Sequence, residues 1–275
     1  MTADPHPETT EPGASAAPLG VRLSAAHVAW DHRVLFDGLQ VELAAGRWTC
    51  LLGPSGVGKS MLLRLILGLE GANSDSTGRV TCSDGAGLAG RAAFMAQDDL
   101  LYPWLTVLDN VTLGRRLRGE PAAGQTRDRA LGLLADVGLS DQADAFPRTL
   151  SGGMRQRAAL ARTLLEDRPV VLMDEPFSAL DAITRVRLQD LAAEMLEGRT
   201  VLLVTHDPLE ALRLGDAIHV MSGRPAKLDD ALAPQGDPPR RVTDAHILEL
   251  QGELLSRLTE AAGLAEAAGL AEVVK

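Results

Sequence analysis

The stretch Gly53-Pro54-Ser55-Gly56-Val57-Gly58-Lys59-Ser60 decides how the chain is read. Its pattern, G-x-x-x-x-G-K-S, is a phosphate-binding loop. Trp48-Thr49-Cys50-Leu51-Leu52 precedes it as an apolar strand, and Met61-Leu62-Leu63-Arg64-Leu65-Ile66-Leu67 follows it as a helix. Strand, glycine turn and helix is the setting in which such a loop holds a nucleotide. The glycines let successive backbone N–H groups point inward as an anion-binding nest, and the helix adds its positive N-terminal end. Lys59 supplies a mobile charge for the outer phosphates, and Ser60 supplies a hydroxyl for Mg²⁺. Taken alone, the loop says only that a nucleotide binds.

Further along lie other polar residues at the ends of apolar strands. Val170-Val171-Leu172-Met173 is a continuous apolar run, typical of a strand buried on both faces of a parallel sheet. It leads into Asp174-Glu175, and buried carboxylates need a partner or a metal. Beside the phosphate loop, Asp174 would hold Mg²⁺ and Glu175 would deprotonate an attacking water. Arg199 to Val204 is another buried strand, ending at Thr205-His206. His206 there would reach a γ-phosphate or the water. Ala92-Ala93-Phe94-Met95 ends at Gln97, which can reach an ion or a water. Four strand tips with polar residues fit an α/β fold with an open parallel sheet and its ligand at the carboxyl ends.

The surrounding stretches are less informative. Val21 to Leu52 reads as short strands and turns, with a hairpin at Asp37-Gly38 and a turn at Ala45-Gly46. Trp30 either stacks on a nucleotide base or packs as an ordinary tryptophan. Gly71 to Gly90 is a solvated hairpin region with a brief Arg79-Val80-Thr81 strand. Leu100-Leu101-Tyr102-Pro103-Trp104-Leu105 is apolar and aromatic, and is either core or a docking surface. Helical periodicity marks residues 101–150 as a helical insertion. Ser151 then caps a helix running through Leu165, with Gly152 and Gly153 leaving its first-turn N–H groups uncovered. Beyond Pro225 the chain is expected to be a Pro-rich linker followed by a helical tail. The tail contains the duplicated Glu-Ala-Ala-Gly-Leu-Ala of residues 260–265 and 266–271, and is expected to fray.

Composition narrows the partners. The 275 residues carry 27 basic and 37 acidic side chains, a net charge of −10, which argues against nucleic acid as the main partner. The two cysteines, Cys50 and Cys82, make no disulfide framework or metal site. No run reaches the roughly 20 apolar residues of a membrane span. Met1 to Leu19 lacks the basic start and apolar centre of a signal peptide, and residues 1–20 are expected to be a disordered leader.

Together and in this order, the motifs resemble the ATP-binding subunit of an ABC transporter over about Leu23 to Pro225. Gly53–Ser60 resembles the Walker A motif, Gln97 the Q-loop and Leu150–Met154 the signature. Val170–Glu175 resembles Walker B with its catalytic glutamate, Ser178–Asp181 the D-loop, and His206 the switch histidine. The resemblance implies a RecA-like P-loop NTPase core with a parallel sheet, an N-terminal antiparallel β part and a helical insertion, in a cassette spanning residues 21–225. It implies ATP and Mg²⁺ as cofactors, with Glu175 and His206 catalytic. Trp30, Gly53, Pro54, Ser55, Gly56, Val57, Gly58, Lys59, Ser60, Met61 and Gln97 would bind ATP, and Ser60, Gln97 and Asp174 would hold the metal. Ser151, Gly152, Gly153 and Asp181 would bind ATP in trans, on a second copy of the chain. The remaining partners would be transmembrane permease subunits and, through them, a periplasmic or lipoprotein solute-binding protein. The chain would then sit peripherally on the cytoplasmic face of the inner or plasma membrane. Phe94 to Val111 resembles importers of the nitrate, sulfonate and taurine group, closest to the hydroxymethylpyrimidine branch. Met154 stands where the commonest signature has Gln. A non-transport ABC ATPase of DNA repair or translation is the alternative; it usually has a long coiled-coil arm or two cassettes in one chain, and this sequence has neither.

Overall fold

The computed structural model describes residues 17–30, 33–69, 74–120 and 124–273, with side chains to 264. Strands β1 (Val21–Trp30), β2 (Arg33–Leu43) and β4 (Ser74–Cys82) form an antiparallel sheet in the order β2-β1-β4. A second sheet has the order β5-β6-β7-β3-β8-β9, from β3 (Trp48–Leu52), β5 (Ala92–Met95), β6 (Val170–Asp174), β7 (Thr200–Val204), β8 (Ala217–Gly223) and β9 (Ala226–Leu228). Its first five strands are parallel, and β9 turns back antiparallel to β8.

Why the central strands are apolar throughout follows from their two faces. Side chains alternate across a sheet. Val171, Met173, Val201 and Leu203 enter one core, while Val170, Leu172, Leu202 and Val204 enter the other. The second core is closed by helix α1 (Lys59–Leu67) and by the antiparallel sheet, through Leu62, Leu63 and Ile66 against residues such as Leu23 and Phe36. The first is closed by α2 (Val107–Leu117), α3 (Gln125–Asp136), α4 (Gly152–Leu165), α5 (Ala182–Met195), α6 (Pro208–Leu214) and α7 (Ala245–Val273). The α/β architecture, the parallel sheet and the antiparallel part are those expected from the sequence.

Several local expectations are corrected. Asp37-Gly38 is no hairpin turn. It lies inside β2, where Ala26 pairs with Leu39 but Val28 pairs with Phe36, so β2 carries one extra residue. Gly38 at φ 67° absorbs that β-bulge. The brief strand around Val80 is the nine-residue β4, held along β1. The segment after Pro225 is not a free linker. Leu232 is buried, and Arg240 donates to the carbonyls of Leu212, Gly215, Pro234 and Gln235, fastening the segment to the end of α6. The tail is one helix, α7, docked by Ile247, Leu254 and Ala261 at seven-residue spacing. Residues 1–16 of the expected leader lie outside the described residues, and Leu19 at its end is buried.

Candidate functional site

The phosphate loop leaves β3 at Gly53, whose φ is 146°. A Cβ there would lie 2.4 Å from the Met221 carbonyl oxygen, so only glycine fits. Gly58, at φ 113°, leads into α1 with no side-chain cap, so the first-turn N–H groups are free for a ligand. Val57 turns its side chain into the core and Met61 packs on the same core, so both offer the ligand mainly their backbone. The Lys59 ammonium folds back over the loop and donates to the carbonyls of Gly53 (2.7 Å) and Pro54 (3.0 Å). Burial lowers the Lys59 pKa, opposed by the charges of Glu175 and Asp174.

Asp174 ends β6, which is separated from β3 by β7. Its carboxylate nevertheless reaches the start of α1 and is hydrogen-bonded with Ser60; burial raises its pKa and that bond opposes the rise. Glu175 follows at φ 50°, a left-handed conformation that costs a non-glycine residue about 1–3 kcal/mol. The turn aims its carboxylate between two other tips. Its Oε2 lies 3.2 Å from His206 Nδ1 and 3.5 Å from Gln97 Nε2, the second at the long limit of a hydrogen bond. Ser55, Gly56, Gly58, Lys59, Ser60, Met61, Gln97, Asp174 and Glu175 line one cleft of about 360 Å³, within the ~300–1,000 Å³ of small-ligand sites.

The donor chemistry fits Mg²⁺. Hydroxyl, carboxylate and amide oxygens of Ser60, Asp174 and Gln97 are hard ligands, and Mg²⁺ takes few protein oxygens alongside phosphates and water. No cluster of three or more His, Cys, Asp or Glu suited to a metal occurs among the described residues.

Other expected site residues are not among those lining this cleft. Trp30 ends β1, 39% exposed, and is not among the lining residues. Ser151 caps α4, accepting from the Met154 N–H at 3.3 Å; Ser151 and Gly152 are exposed and, with Gly153, line none of the cleft. Asp181 caps α5, accepting from Thr184 N–H at 3.0 Å, and that backbone bond lowers its pKa.

Three residues not singled out from the sequence hold these parts together. Gln156, buried in α4, donates to the Glu175 carbonyl at 2.9 Å and accepts from the Ala179 N–H at 2.8 Å. Arg155 pairs with Asp99 at 2.9 Å, and Arg162 donates to the carbonyls of Asp99 and Leu100. A glutamine on the apolar face of a helix was the one signal available, since a buried polar group needs partners.

A glycine loop on one parallel strand, carboxylates on a second and an imidazole on a third define a nucleotide-hydrolysing site of the P-loop class. The ABC transporter family profile matches residues 36–178. The chain is 42% identical over 241 residues to an uncharacterized ABC transporter ATP-binding protein of Haemophilus influenzae, covering 86% of this chain and 98% of that one. It is 45% identical to an aliphatic sulfonates import ATP-binding protein of Rhodococcus jostii, over 84% of this chain and 89% of the relative. A solved dimeric ATP-binding cassette, in a post-hydrolysis state with ADP and Pi, superposes with a TM-score of 0.69 at 28% identity, covering 78% and 99% of the two chains. The chain belongs to the ABC transporter family, as an ATPase coupled to transmembrane transport. No helix among the described residues is long and apolar enough to cross a membrane.

Proposed function

We propose that this chain powers import of a small solute through partner membrane subunits, hydrolysing ATP at a site completed by a second copy of itself. The observation that carries the hydrolytic reading is the Glu175 carboxylate between Gln97 and His206, at the mouth of a cleft holding Lys59, Ser60 and Asp174. In this reading the nest of residues 53–61 holds the triphosphate, and Trp30 stacks on the base. Lys59 leaves its two carbonyls for the outer phosphates. Ser60, Asp174 and Gln97 hold Mg²⁺, which when bound neutralises charge on the phosphates. Glu175 takes the proton of the attacking water, and His206 orients Glu175 and the γ-phosphate.

Ser151, Gly152, Gly153 and Asp181 serve the site of the second copy. The exposed, capped N-terminus of α4, away from its own cleft, supports this, as does the dimeric state of the solved cassette relative. The permease would dock beside the Gln97 segment. There Leu100, Tyr102 and Leu117 line an open groove, and Trp104 is 69% exposed next to Tyr102. Docking there places the chain peripherally on the cytoplasmic face of the membrane, with a solute-binding protein reached through the permease. The sulfonate-import relatives favour a small organic solute of that group over a role on nucleic acid, and the net charge of −10 agrees.

The test is Glu175→Gln. Loss of the base should lower hydrolysis by about 10²–10⁴-fold, with ATP retained and a dimer appearing on size-exclusion chromatography. Wild-type turnover by this variant would remove Glu175 as the base.

A further inference from the structure

His206 is an open side chain, 65% exposed, in contact with Glu175. A side chain this open takes its position from the main chain that carries it. On one side, the Thr205 N–H donates to the Leu51 carbonyl at 3.1 Å. The Thr205 hydroxyl donates to buried Glu210 at 2.8 Å and accepts from the Asp207 N–H at 3.0 Å. On the other side, Asp207 uses its two oxygens differently. Oδ1 caps α6 through Leu209 N–H (2.9 Å) and Glu210 N–H (3.4 Å), while Oδ2 accepts from Arg185 Nη1 at 3.1 Å. The other arm of the guanidinium, Nη2, donates to the Leu180 carbonyl at 3.1 Å, one residue before Asp181.

We propose that Arg185 is a positioning residue for hydrolysis: its guanidinium fork ties the main chain before Asp181 to the segment carrying His206. The inference rests on His206 belonging to the hydrolytic site. Two arms in a rigid plane span two loops, which a lysine ammonium cannot reproduce. Stability does not account for the arrangement. The ion pair with Asp207 is partly solvated, at 31% and 26% side-chain exposure, where such pairs contribute little. Arg185 Nε is buried with no hydrogen-bond partner, which is unfavourable in itself. What the residue supplies is geometry. The turn it grips is an outward one: Asp181 is exposed and Ile183 is 85% exposed. A second copy pressing on that turn moves Leu180, and Arg185 passes the displacement to Asp207 and so to His206.

The full-length chain tests this by single-turnover phosphate release and ATP titration for Arg185→Met, Arg185→Lys, Asp207→Asn, His206→Ala and the double variant Arg185→Met/His206→Ala. Arg185→Met should lower kcat about 10-fold, as expected for a misplaced catalytic group, with KM for ATP within about twofold. Arg185→Lys should not restore the rate. In the His206→Ala background, Arg185→Met should cost nothing further, because residues acting as one unit are not additive. Asp207→Asn keeps an oxygen for the α6 cap and should reproduce the kcat loss, so it carries the test if Arg185→Met fails a thermal-melt check of folding. A wild-type kcat in the folded Arg185 and Asp207 variants, or an equal loss with and without His206, would overturn the positioning role alone. Wild-type turnover by His206→Ala would overturn the hydrolytic reading of His206 itself.

Discussion

Helices α1 and α4 both begin beside glycines, yet they are furnished differently. Around the start of α1 the fold gathers Lys59, Ser60, Asp174, Glu175 and Gln97 into one cleft. At the start of α4 there is a Ser151 cap and an exposed Gly152, with no acidic residue in the first turn. The first helix end is furnished with the groups that hydrolysis needs; the second offers only its N–H groups and a hydroxyl cap. A helix terminus offers an anion partial charge and N–H groups, but chemistry needs a base and metal ligands delivered by other strands. The first turn of α4 carries no acidic residue of its own, and we propose that it serves the cleft of a second copy.

Mixing two variants attacks that difference most directly. Ser151→Arg should lower hydrolysis roughly 100-fold, the scale of losing a preorganised anion contact, while the monomer still binds ATP. Lys59→Ala should be inactive on its own. An equal mixture forms heterodimers with one intact composite site, and activity should return to about a quarter of wild type. No recovery on mixing, measured as phosphate release, would mean that α4 serves its own cleft and the contrast between the two helix ends is false.

A smaller effect concerns the support behind the furnished half. Glu210 lies beneath the His206 segment, and burial pushes its carboxyl up to about 8 while the Thr205 hydroxyl bond pulls the other way. In the unfolded chain it titrates near the ordinary glutamate value. Below that value both states hold the proton and its contribution to stability is fully present. As pH rises through the interval up to about 8 the unfolded state ionises first, and the contribution is lost. Glu210→Gln keeps an acceptor for Thr205 and removes the titration. The unfolding free energy of the variant, from urea titrations, should therefore vary less between pH 5 and 8 than that of the wild type, by an amount on the order of a few kcal/mol. Parallel pH curves would place the titration elsewhere.

The least change is expected in the open half. Met154 is the N3 residue of α4, where a Gln would complete a capping box. Ser151 already accepts the Met154 N–H, and the Met154 side chain packs against the core. Met154→Gln should shift ATPase turnover less than about twofold and stability by under about 1 kcal/mol. A large change in turnover would show that this helix end recognises its ligand through side chains rather than backbone.

Much of the fold was legible because its signals are local. The two-faced strands β6 and β7 read as unbroken apolar runs. Ser151 and Leu165 mark the limits of α4 through capping and periodicity. Asp37-Gly38 misled because the same dipeptide serves a hairpin turn or a bulge, and only pairing with β1 selects between them. The stretch before α7 reads as a linker because its composition is that of one; Arg240, whose partners lie 5 to 28 residues away, fastens it. Arg185 was invisible for the same reason, and Gln156 showed only as a polar residue on an apolar helix face; both work on loops that the sequence does not place beside them.

By itself the sequence determined the phosphate-loop pattern at Gly53–Ser60, since the backbone freedom, the lysine charge and the strand–helix flanks are all encoded within a few residues. It also determined which strand tips carry acid, amide and imidazole. Only the tertiary structure decided that those tips converge. Sheet order brings Asp174 across β7 to Ser60, and the strained turn at Glu175 aims one carboxylate at both Gln97 and His206. It likewise decided that the glycines after Ser151 stay out of their own cleft, because the packing of α4 turns its first turn to the surface. Such convergence depends on pairings between residues far apart in the chain, and no local propensity specifies them.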